Sequence, residues 1–378
     1  MKKTIIITII LIAIGIGSYF VWQYFFKSAP TAVIEGGATL PITGAEAPTP
    51  AERTEEQGQT IAPGLKTLSS RPIFDYWINK NTDDVYFVDL NGEIYKISPS
   101  GAEEKINSQT ISDLHSIKPS PDGSRAIFTF GYPFQTTLSI FDIAAKSWQP
   151  LPAGVTSAAW DPRSNNQITY LKNNGDKSAI FLLTLSTKKA VELTKLNQKD
   201  LDLEWVLPDI LYLKTKPSAE YNGFIWTFNI KQKTFAPLIS EGAGLSVLWS
   251  DNGKLGLQFS GNGFTNSLVL IDEKNRVIAN IGDATLPSKC AFGINNAYCA
   301  IPAQIPPRAK LPDDYLQKEI FFEDLIYTVN LTTGETELLP NTFSIFLTTL
   351  IDANHLSVQK NRLLFINRLD EKLYSLDL

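Results

Sequence analysis

Residues suited to metal binding and thiol chemistry are scarce in this sequence. Its 378 residues include only two cysteines, two histidines and one methionine. Histidine and cysteine are common ligands of zinc and other transition metals, so a histidine-rich or cysteine-rich metal centre is not expected. Asp83, Asp84 and Asp89 lack the D-x-D-x-D spacing of a calcium loop, and we interpret them as turn acids. We therefore predict no metal site and no cofactor.

Catalytic motifs are also missing. The chain has no G-x-S-x-G turn, which would mark the nucleophile of an α/β-hydrolase. His115 and His355 are the only candidates for the base of a catalytic triad, and without its other members we interpret both as structural or surface histidines. We predict no catalytic residues, and a lyase or hydrolase with a site in a channel mouth is kept as an alternative.

Clustered positive charge is missing outside the N-terminus. Residues 1–27 hold three lysines and no acidic residue, which leaves 31 basic and 39 acidic residues in the rest of the chain. Nucleic-acid binding depends on clustered Lys and Arg that neutralise phosphates, so no nucleic-acid partner is expected.

One long uncharged run stands near the start of the chain. Residues 4–26, TIIITIILIAIGIGSYFVWQYFF, follow Lys2 and Lys3. As a helix they would span about 35 Å, more than the roughly 30 Å of a hydrocarbon core. The preceding positive charge predicts that residues 1–27 form a single-pass membrane anchor, with the N-terminus in the cytoplasm and the rest of the chain outside it. A cleaved signal peptide is the alternative, but its apolar region is usually shorter.

The next segment has the composition of a linker. Residues 28–64 are rich in Ala, Pro, Thr, Gly and Glu and lack a periodic apolar face. We predict a flexible, disordered linker there. Residues 65–378 are long enough to bury a large core and are assigned to one domain.

A short pattern recurs through this domain. Two apolar or aromatic residues, a variable residue and an apolar residue precede a polar one, as in IYKIS, IFLLT and IWTFN. The polar residue falls at Ser98, Asp142, Thr184, Asn229, Asp272, Asn330 and Asp377. The steps between these positions are 42 to 47 residues, apart from one of 58. Seven copies at this spacing are typical of the four-stranded blades of a β-propeller.

Hairpins with tight turns precede these copies. KPSPDGSRAIFTF, residues 118–130, places Ser-Pro-Asp-Gly between two short runs, and LWSDNGKLGLQF repeats the plan. Pro, Asp and Gly favour turn dihedrals, and the runs have the period of strands rather than of a helical solenoid. The sequence therefore predicts an all-β fold, a seven-bladed β-propeller of four-stranded blades, preceded by one N-terminal transmembrane helix and a flexible linker.

The last copy ends one residue before Leu378, so the seventh blade has no fourth strand after it. The segment LKTLSSRPIF, residues 65–74, resembles the missing strand. We predict that residues 65–71 complete the last blade, because an unpaired edge strand promotes aggregation. The alternative assigns residues 65–70 to the linker.

The Pro-Asp-Gly hairpins and the strand pair IYTVNLTTGETELL resemble the WD-like propeller repeats of TolB. They are also similar to the propeller domain of prolyl-oligopeptidase-type enzymes. The resemblance covers roughly residues 65–378 and implies the propeller fold, although such repeats serve many functions. TolB-like proteins act as periplasmic protein-binding modules. This chain differs from TolB in its predicted anchor and in having no evident second domain.

The two cysteines flank a predicted hairpin. Cys290 and Cys299 bracket AFGINNAY, so they could face each other on adjacent antiparallel strands. Outside the cytoplasm such a pair can oxidise, and we favour a disulfide over two buried thiols.

The 58-residue step indicates an insertion of about 15 residues. It falls near residues 303–324, AQIPPRAKLPDDYLQKEIFFED. Long ordered loops often carry function, and we predict that Pro312, Asp313, Asp314 and Tyr315 present an acidic and aromatic contact to a partner. A surface loop without function is the alternative.

These observations favour a non-enzymatic binding or scaffold module, anchored in the membrane and facing a protein partner in the cell envelope. A sensor of a glycan or small ligand is the alternative binding role. Clustered polar side chains in the channel would favour an enzyme, whereas stacked aromatic residues at one mouth would favour a sensor.

Overall fold

The computed structural model describes residues 64–107, 111–282, 284–340 and 342–378. The predicted anchor at 1–27 lies outside these residues, as does the predicted linker apart from its last residue. No helix of the described part is long and apolar enough to cross a membrane. The described chain forms seven antiparallel sheets of four strands each. The predicted all-β, seven-bladed propeller is therefore confirmed.

The strands of the first four blades follow one another along the chain. Blade 1 has β2 (Ile73–Ile78), β3 (Val85–Asp89), β4 (Ile94–Ile97) and β5 (Glu103–Asn107). Blade 2 has β6 (Leu114–Pro119), β7 (Arg125–Phe130), β8 (Thr137–Asp142) and β9 (Ser147–Pro150). Blade 3 has β10 (Val155–Trp160), β11 (Gln167–Asn174), β12 (Lys177–Thr184) and β13 (Lys189–Leu196). Blade 4 has β14 (Asp202–Leu207), β15 (Ile210–Lys214), β16 (Asn222–Asn229) and β17 (Thr234–Ala243).

The last three blades continue this order, except that the outer strand of blade 7 comes from the start of the domain. Blade 5 has β18 (Ser246–Trp249), β19 (Leu255–Gly261), β20 (Asn266–Asp272) and β21 (Val277–Ile281). Blade 6 has β22 (Cys290–Phe292), β23 (Asn296–Pro302), β24 (Asp324–Asn330) and β25 (Thr336–Leu338). Blade 7 has β26 (Ala353–Gln359), β27 (Arg362–Asn367), β28 (Lys372–Asp377) and β1 (Leu65–Thr67).

The first strand of each blade faces the central channel, and the fourth lies outermost. The loops between second and third strands lie at the same end as the connections from one blade to the next; we call this the B–C end. The loops between first and second strands and between third and fourth strands lie at the opposite, A–B end. The recurring sequence pattern corresponds to the third strand of each blade.

The ring closes through a strand from its N-terminal side. Leu65, Lys66 and Thr67 pair antiparallel with Leu376, Ser375 and Tyr374 of β28. The Asp377 amide also donates to the Gly64 carbonyl, so the described chain begins at the A–B end of blade 7. The outer strand and the other three strands of blade 7 thus come from opposite ends of the domain.

The Ser-Pro-Asp-Gly turn joins blade 2 to blade 1. Asp122 Oδ1 accepts from the Ser124 amide at 2.9 Å, and Gly123 has φ +73°. A Cβ on Gly123 would lie 2.1 Å from the Ile78 carbonyl oxygen of blade 1. The Trp77 indole also donates to the Gly123 carbonyl at 3.2 Å. The turn residues are therefore required both for the local backbone and for blade-to-blade packing.

Both faces of the blades are buried against neighbours. Phe87, Phe128, Phe228 and Phe365, each on the second strand or third strand of its blade, are fully buried. One core cluster joins blade 1 to blade 7, with Tyr76 packed together with residues of β27 and β28. A single sheet would leave one of these apolar faces in water, whereas the closed ring buries both.

Three short helical segments lie in the connections around blade 6. They are a 3₁₀ helix at Pro287–Lys289, α1 (Asp313–Leu316) and α2 (Thr342–Phe346). The 3₁₀ helix and α2 lie in connections between blades, while α1 belongs to the insertion. All three therefore lie at the B–C end.

Candidate functional site

A cavity opens into the channel at the B–C end. Its volume is about 1080 Å³, and its wall includes Lys118, Ser157, Asp202 and Val247 from the first strands of blades 2 to 5. Loops at the same end form its rim. A cavity of this size is comparable with those that bind small molecules or peptide segments.

The insertion forms one side of this mouth. Residues 303–323 connect β23 to β24 and are therefore the B–C loop of blade 6. Lys310 Nζ donates to Glu220 Oε1 of blade 4 at 2.6 Å, and the Ala219 amide donates to Asp313. On the other side, Lys318 donates to Glu371 of blade 7 at 2.7 Å. The insertion thus spans from blade 4 to blade 7.

A buried lysine lies beneath the insertion. Lys289 has no exposed surface, and its Nζ donates to Asp324 Oδ2 and to Asp352 Oδ1, each at 2.6 Å. It also donates to the Ala353 carbonyl at 2.9 Å. The Ala353 amide in turn donates to Asp324 Oδ2 at 2.7 Å. These bonds join the start of blade 6 to the start of blade 7.

Arg368 completes the cluster from the B–C loop of blade 7. Its guanidinium donates to Asp352 Oδ2 at 2.7 Å and to the Tyr315 carbonyl at 2.8 Å. The same group lies 3.7 Å from the centre of the Tyr315 ring. Two cations and two carboxylates therefore balance one another and fix the insertion to the propeller.

The pKa values follow from this burial. Burial raises the pKa of Asp324 to about 6, even though the charge of Lys289 acts in the opposite direction, and the neighbouring Asp352 adds to the rise. Burial would lower the pKa of Lys289, but Asp324 and Asp352 hold it above its ordinary value. Lys289 therefore remains charged at neutral pH.

The predicted contact residues of the insertion are largely turned inward. Pro312 is buried, and Tyr315 is only 2% exposed, because its ring stacks on Phe322 at a centroid distance of 5.3 Å. Asp314 accepts from the Lys310 amide at 2.8 Å, and Asp313 accepts from blade 4. The expectation that Tyr315 presents an exposed aromatic contact is wrong, since the ring covers the Lys289 cluster. Both aspartates keep part of their surface exposed.

Ion pairs line the inside of the channel. Lys118 of blade 2 donates to Asp202 of blade 4 at 2.9 Å, and Ser157 of blade 3 donates to the same oxygen. Lys214 donates to Glu204 at 2.7 Å. Burial would raise the pKa of Asp202, but Lys118 and Lys214 outweigh it and keep that pKa below its ordinary value. Burial would lower the pKa of Lys214, but Glu204 and Asp202 raise it to about 12.

His115 lies at the rim of the same cavity. It occupies a β-bulge of β6, and its ring stacks on Tyr132 at a centroid distance of 4.2 Å. Lys216 donates to the Tyr132 hydroxyl, and its Nζ lies 4.0 Å from the centre of that ring. Burial, and secondly the charge of Lys216, lower the pKa of His115.

His355 lies on the opposite side of the channel, in a β-bulge of β26. Its Nδ1 is paired with Asp75 of blade 1, and its backbone has φ +50°. The buried Tyr76 hydroxyl donates to the His355 carbonyl at 2.7 Å. Burial would lower the pKa of His355, but Asp75 raises it above its ordinary value. The chain's two histidines therefore have pKa values shifted in opposite directions.

The two cysteines and Asp89 of blade 1 form bonds within the propeller. Cys290 and Cys299 are directly paired on β22 and β23 and form a disulfide. Asp89, which is buried rather than solvated, accepts from the Asn91 and Glu93 amides at 3.0 and 2.9 Å. Within the described ranges, no group of three or more His, Cys, Asp or Glu is placed to hold a metal ion.

The exposed apolar side chains are concentrated at one end of the ring. Eleven of the large ones lie at the B–C end, namely Leu90, Tyr132, Phe134, Tyr221, Phe264, Leu316, Phe321, Phe343, Leu347, Leu350 and Leu369. Phe134 and Phe264 are 95% and 93% exposed. Ile294 and Leu378 lie at the A–B end, and the other exposed large apolar side chains of the described residues lie on third or outer strands, namely Val191, Trp226, Phe235, Val277 and Ile278.

The sequence gives no local signal for most residues of the Lys289 cluster and of the exposed apolar surface. Lys289, Asp352 and Arg368 lie in three separate connections, and nothing in their local sequence indicates that they meet. Phe134 and Phe264 could have been noticed, because each is an aromatic residue inside a short turn containing Gly, as in GYPFQ and GNGFT. An aromatic residue in such a turn has few neighbours that could bury it.

Neither a known family model nor a curated protein matches the sequence. Several solved structures are similar to this chain in fold. An oligogalacturonate lyase in complex with manganese has a TM-score of 0.58 and 11% identity, over 83% of this chain and 93% of the lyase. An acylaminoacyl peptidase from Pyrococcus horikoshii has a TM-score of 0.50 and 12% identity, over 78% of this chain and 49% of the peptidase.

TolB from Acinetobacter baumannii is also similar, with a TM-score of 0.42 and 11% identity. The match covers 84% of this chain and 66% of the TolB chain. At these identities the likeness to solved structures concerns the fold alone. The chain is a seven-bladed β-propeller that resembles TolB and the propellers of prolyl-peptidase-type enzymes.

Proposed function

We propose that the protein is a binding module that holds a protein partner on its B–C end. Exposed aromatic and aliphatic side chains are concentrated at that end. Exposed apolar surface of this kind is typical of protein–protein contact sites. The insertion adds to this surface through Leu316 and Phe321, and the Lys289 cluster fixes it in place.

A rigid surface favours binding. The insertion is tied to blades 4 and 7 by ion pairs and packs on the core through Leu311 and Tyr315, so little conformational entropy remains to be lost when a partner binds. The same end carries the mouth of the 1080 Å³ cavity, which offers a partner a recess as well as a rim.

We further propose that the propeller acts outside the cytoplasm, anchored through residues 1–27. The uncharged run at residues 4–26 supports the anchor. The Cys290–Cys299 disulfide supports the location, because disulfides persist in oxidising compartments and are rare in the cytosol. The partner would then be a protein of the cell envelope.

Site-specific photo-crosslinking tests the partner site. A photoreactive phenylalanine analogue replaces Phe134 or Phe264 in the full chain, and in a control it replaces Ile294, which is 97% exposed at the A–B end. We expect both B–C positions to crosslink one and the same protein in native membranes, whereas Ile294 does not. Equal labelling from all three positions, or none from Phe134 and Phe264, would contradict the proposal.

A second candidate function is binding or conversion of a small ligand or glycan in the B–C cavity. The polar lining favours it, since Lys118, Asp202 and Lys214 meet inside the channel and His115 lies at the rim. Substituting Ser157 and Asp202 should then abolish ligand binding while crosslinking from Phe134 remains. If the Ser157 and Asp202 variant instead loses crosslinking from Phe134 and keeps its ligand binding, the result would favour the protein partner.

A further inference from the structure

The A–B end of the channel holds a second, smaller cavity with a different set of charges. Its volume is about 370 Å³, and it is lined by residues of blades 1, 2, 5, 6 and 7. His355 and Ser357 contribute from blade 7, Lys80 from the first turn of blade 1, and Asp251 from the first turn of blade 5. None of these residues takes part in the surface proposed for the protein partner.

His355 is held in a fixed orientation by its neighbours. Because its Nδ1 pairs with Asp75, its Nε2 is the nitrogen left for the cavity. The Tyr76 hydroxyl bonds to the His355 carbonyl and to Ser357 Oγ, each at 2.7 Å, and to the Leu364 carbonyl at 3.0 Å. These bonds hold the bulge that gives His355 its left-handed backbone. Such strained positions cluster at binding and catalytic sites.

Lys80 crosses the channel mouth. Its Nζ donates to Asp251 Oδ2 at 2.8 Å, so an ion pair connects blade 1 with blade 5, and both residues line the cavity that holds His355. The Lys80 and Asp251 side chains are 61% and 90% exposed. An ion pair this exposed is weak, and another anion can replace the aspartate.

We propose that this cavity binds the oxyanion of a ligand, a carboxylate or a phosphate group, between His355 Nε2 and Lys80 Nζ. Asp75 keeps the imidazole oriented and favours its charged form, and the incoming oxyanion takes the place of Asp251 on Lys80. The titratable groups that contact the imidazole are Asp75 and Tyr76 of β2, and Lys80 and Asp251 of the two turns line the same cavity. The volume leaves room for a larger molecule that carries the oxyanion.

The experiment uses the full chain with histidine labelled by ¹³C at Cε1, which gives two NMR signals because the chain has two histidines. Inorganic phosphate and acetate are titrated separately, with chloride at matched ionic strength as the control. We expect a saturable shift of the His355 signal and none of the His115 signal, which comes from the other cavity. Saturation by phosphate alone identifies a phosphate group, by acetate alone a carboxylate, and by both an unselective oxyanion site.

Two substitutions move the affinity in opposite directions. Lys80→Gln removes one cation and should weaken binding about tenfold. Asp251→Asn removes the competing carboxylate and should tighten binding on the order of two- to fivefold. Both residues are exposed, so the thermal unfolding temperature should stay unchanged and show that the fold is intact.

No saturable shift of the His355 signal beyond the chloride control would overturn the proposal. The same holds if the His115 signal shifts equally or if neither substitution alters the affinity, because the shift would then report an adventitious ion only. The outcome is independent of crosslinking at the B–C end, so the two proposals can fail separately.

Discussion

Each of the two histidines lies at a bulge in the first strand of a blade, yet their surroundings differ. His115 is next to Tyr132 and the cation Lys216, whereas His355 is next to the carboxylate of Asp75. Folding therefore stabilises the neutral form of the first histidine and the charged form of the second. The difference reflects the charged residue near each ring, since Lys216 comes from the B–C loop of blade 4 and Asp75 comes from β2 of blade 1.

The histidine surroundings predict opposite pH effects on stability. The raised pKa of His355 means that the contribution of its pair with Asp75 is fully present below the unfolded histidine pKa of about 6.5, and is lost as pH rises through the folded value. The lowered pKa of His115 means that stability decreases as pH falls below about 6.5. NMR titration should show the two pKa values on opposite sides of the ordinary one.

Urea unfolding of variants provides an independent check. His355→Gln should lose more stability, relative to the unchanged chain, at about pH 5.5 than at about pH 8, and His115→Gln should show the reverse order. The same pH dependence in both variants would show that the two environments are not as described.

The Lys289 cluster predicts a large effect of a single substitution. Lys289→Met leaves Asp324 and Asp352 buried without their cation, and we expect a loss of about 3–5 kcal/mol in the free energy of unfolding. Lys310→Met breaks the solvent-exposed pair with Glu220, which water screens, and should change the free energy of unfolding far less. Denaturant unfolding of both variants measures the contrast, and equal small losses would show that the cluster is not buried.

At the scale of elements, the insertion is part of the core. Leu311 and Tyr315 are buried among residues of blades 5 and 6, so the loop that joins β23 to β24 also covers apolar surface. Its outward side keeps Leu316 and Phe321 exposed. One segment therefore contributes to stability through one face and to the proposed binding surface through the other.

This arrangement predicts the outcome of loop replacement. Exchanging residues 306–318 for a short Gly-Ser turn removes Leu311 and Tyr315 and should lower the thermal unfolding temperature by several degrees, roughly in line with the loss of two buried side chains. Leu316→Ser leaves the buried face untouched and should leave the unfolding temperature nearly unchanged, which makes it the better probe of partner binding.

The disulfide is also a contact between elements, because it joins β22 to β23. The bridge closes a loop with a sequence separation of 9 residues, for which the chain-entropy model gives about 2–3 kcal/mol. The double variant Cys290→Ala with Cys299→Ala should lose about this much stability. Alkylation of unfolded, unreduced protein from its native compartment should modify neither cysteine; two modified thiols would refute the bridge.

For the whole molecule, the N-terminal strand is what closes the ring. Leu65 is buried in a core cluster with Leu363, Phe365 and Leu376 of blade 7, although β1 has only three residues. Without β1, the edge of β28 would be open along its backbone. Ring closure thus depends on contacts between residues about 300 positions apart in sequence.

A pair of neighbouring residues tests this closure. Leu65→Ala should cost about 2–5 kcal/mol, because a buried leucine is truncated where blade 7 is sealed. Lys66→Ala removes only an exposed pair with Asp377 and should change stability by less than about 1 kcal/mol. Thermal or urea unfolding compares them, and equal effects would mean that β1 contributes little to the closed ring.

The sequence alone determined the repeat, the number of blades and the place of the insertion. These features are encoded locally, because each blade repeats the same alternation of strands and the same Asp-, Asn- and Gly-containing turns at a nearly constant step. The length of chain between the fifth and sixth copies of the pattern revealed the insertion for the same reason.

Only the tertiary structure decided which side chains meet. Lys289, Asp352 and Arg368 come from three connections, and the pair of Lys80 and Asp251 joins blades that are far apart in sequence. The inward orientation of Tyr315 likewise depends on a buried cation contributed by another segment. Periodicity records which residues share a strand face, but contacts across a closed ring depend on the packing of all seven blades, and that packing places the candidate sites.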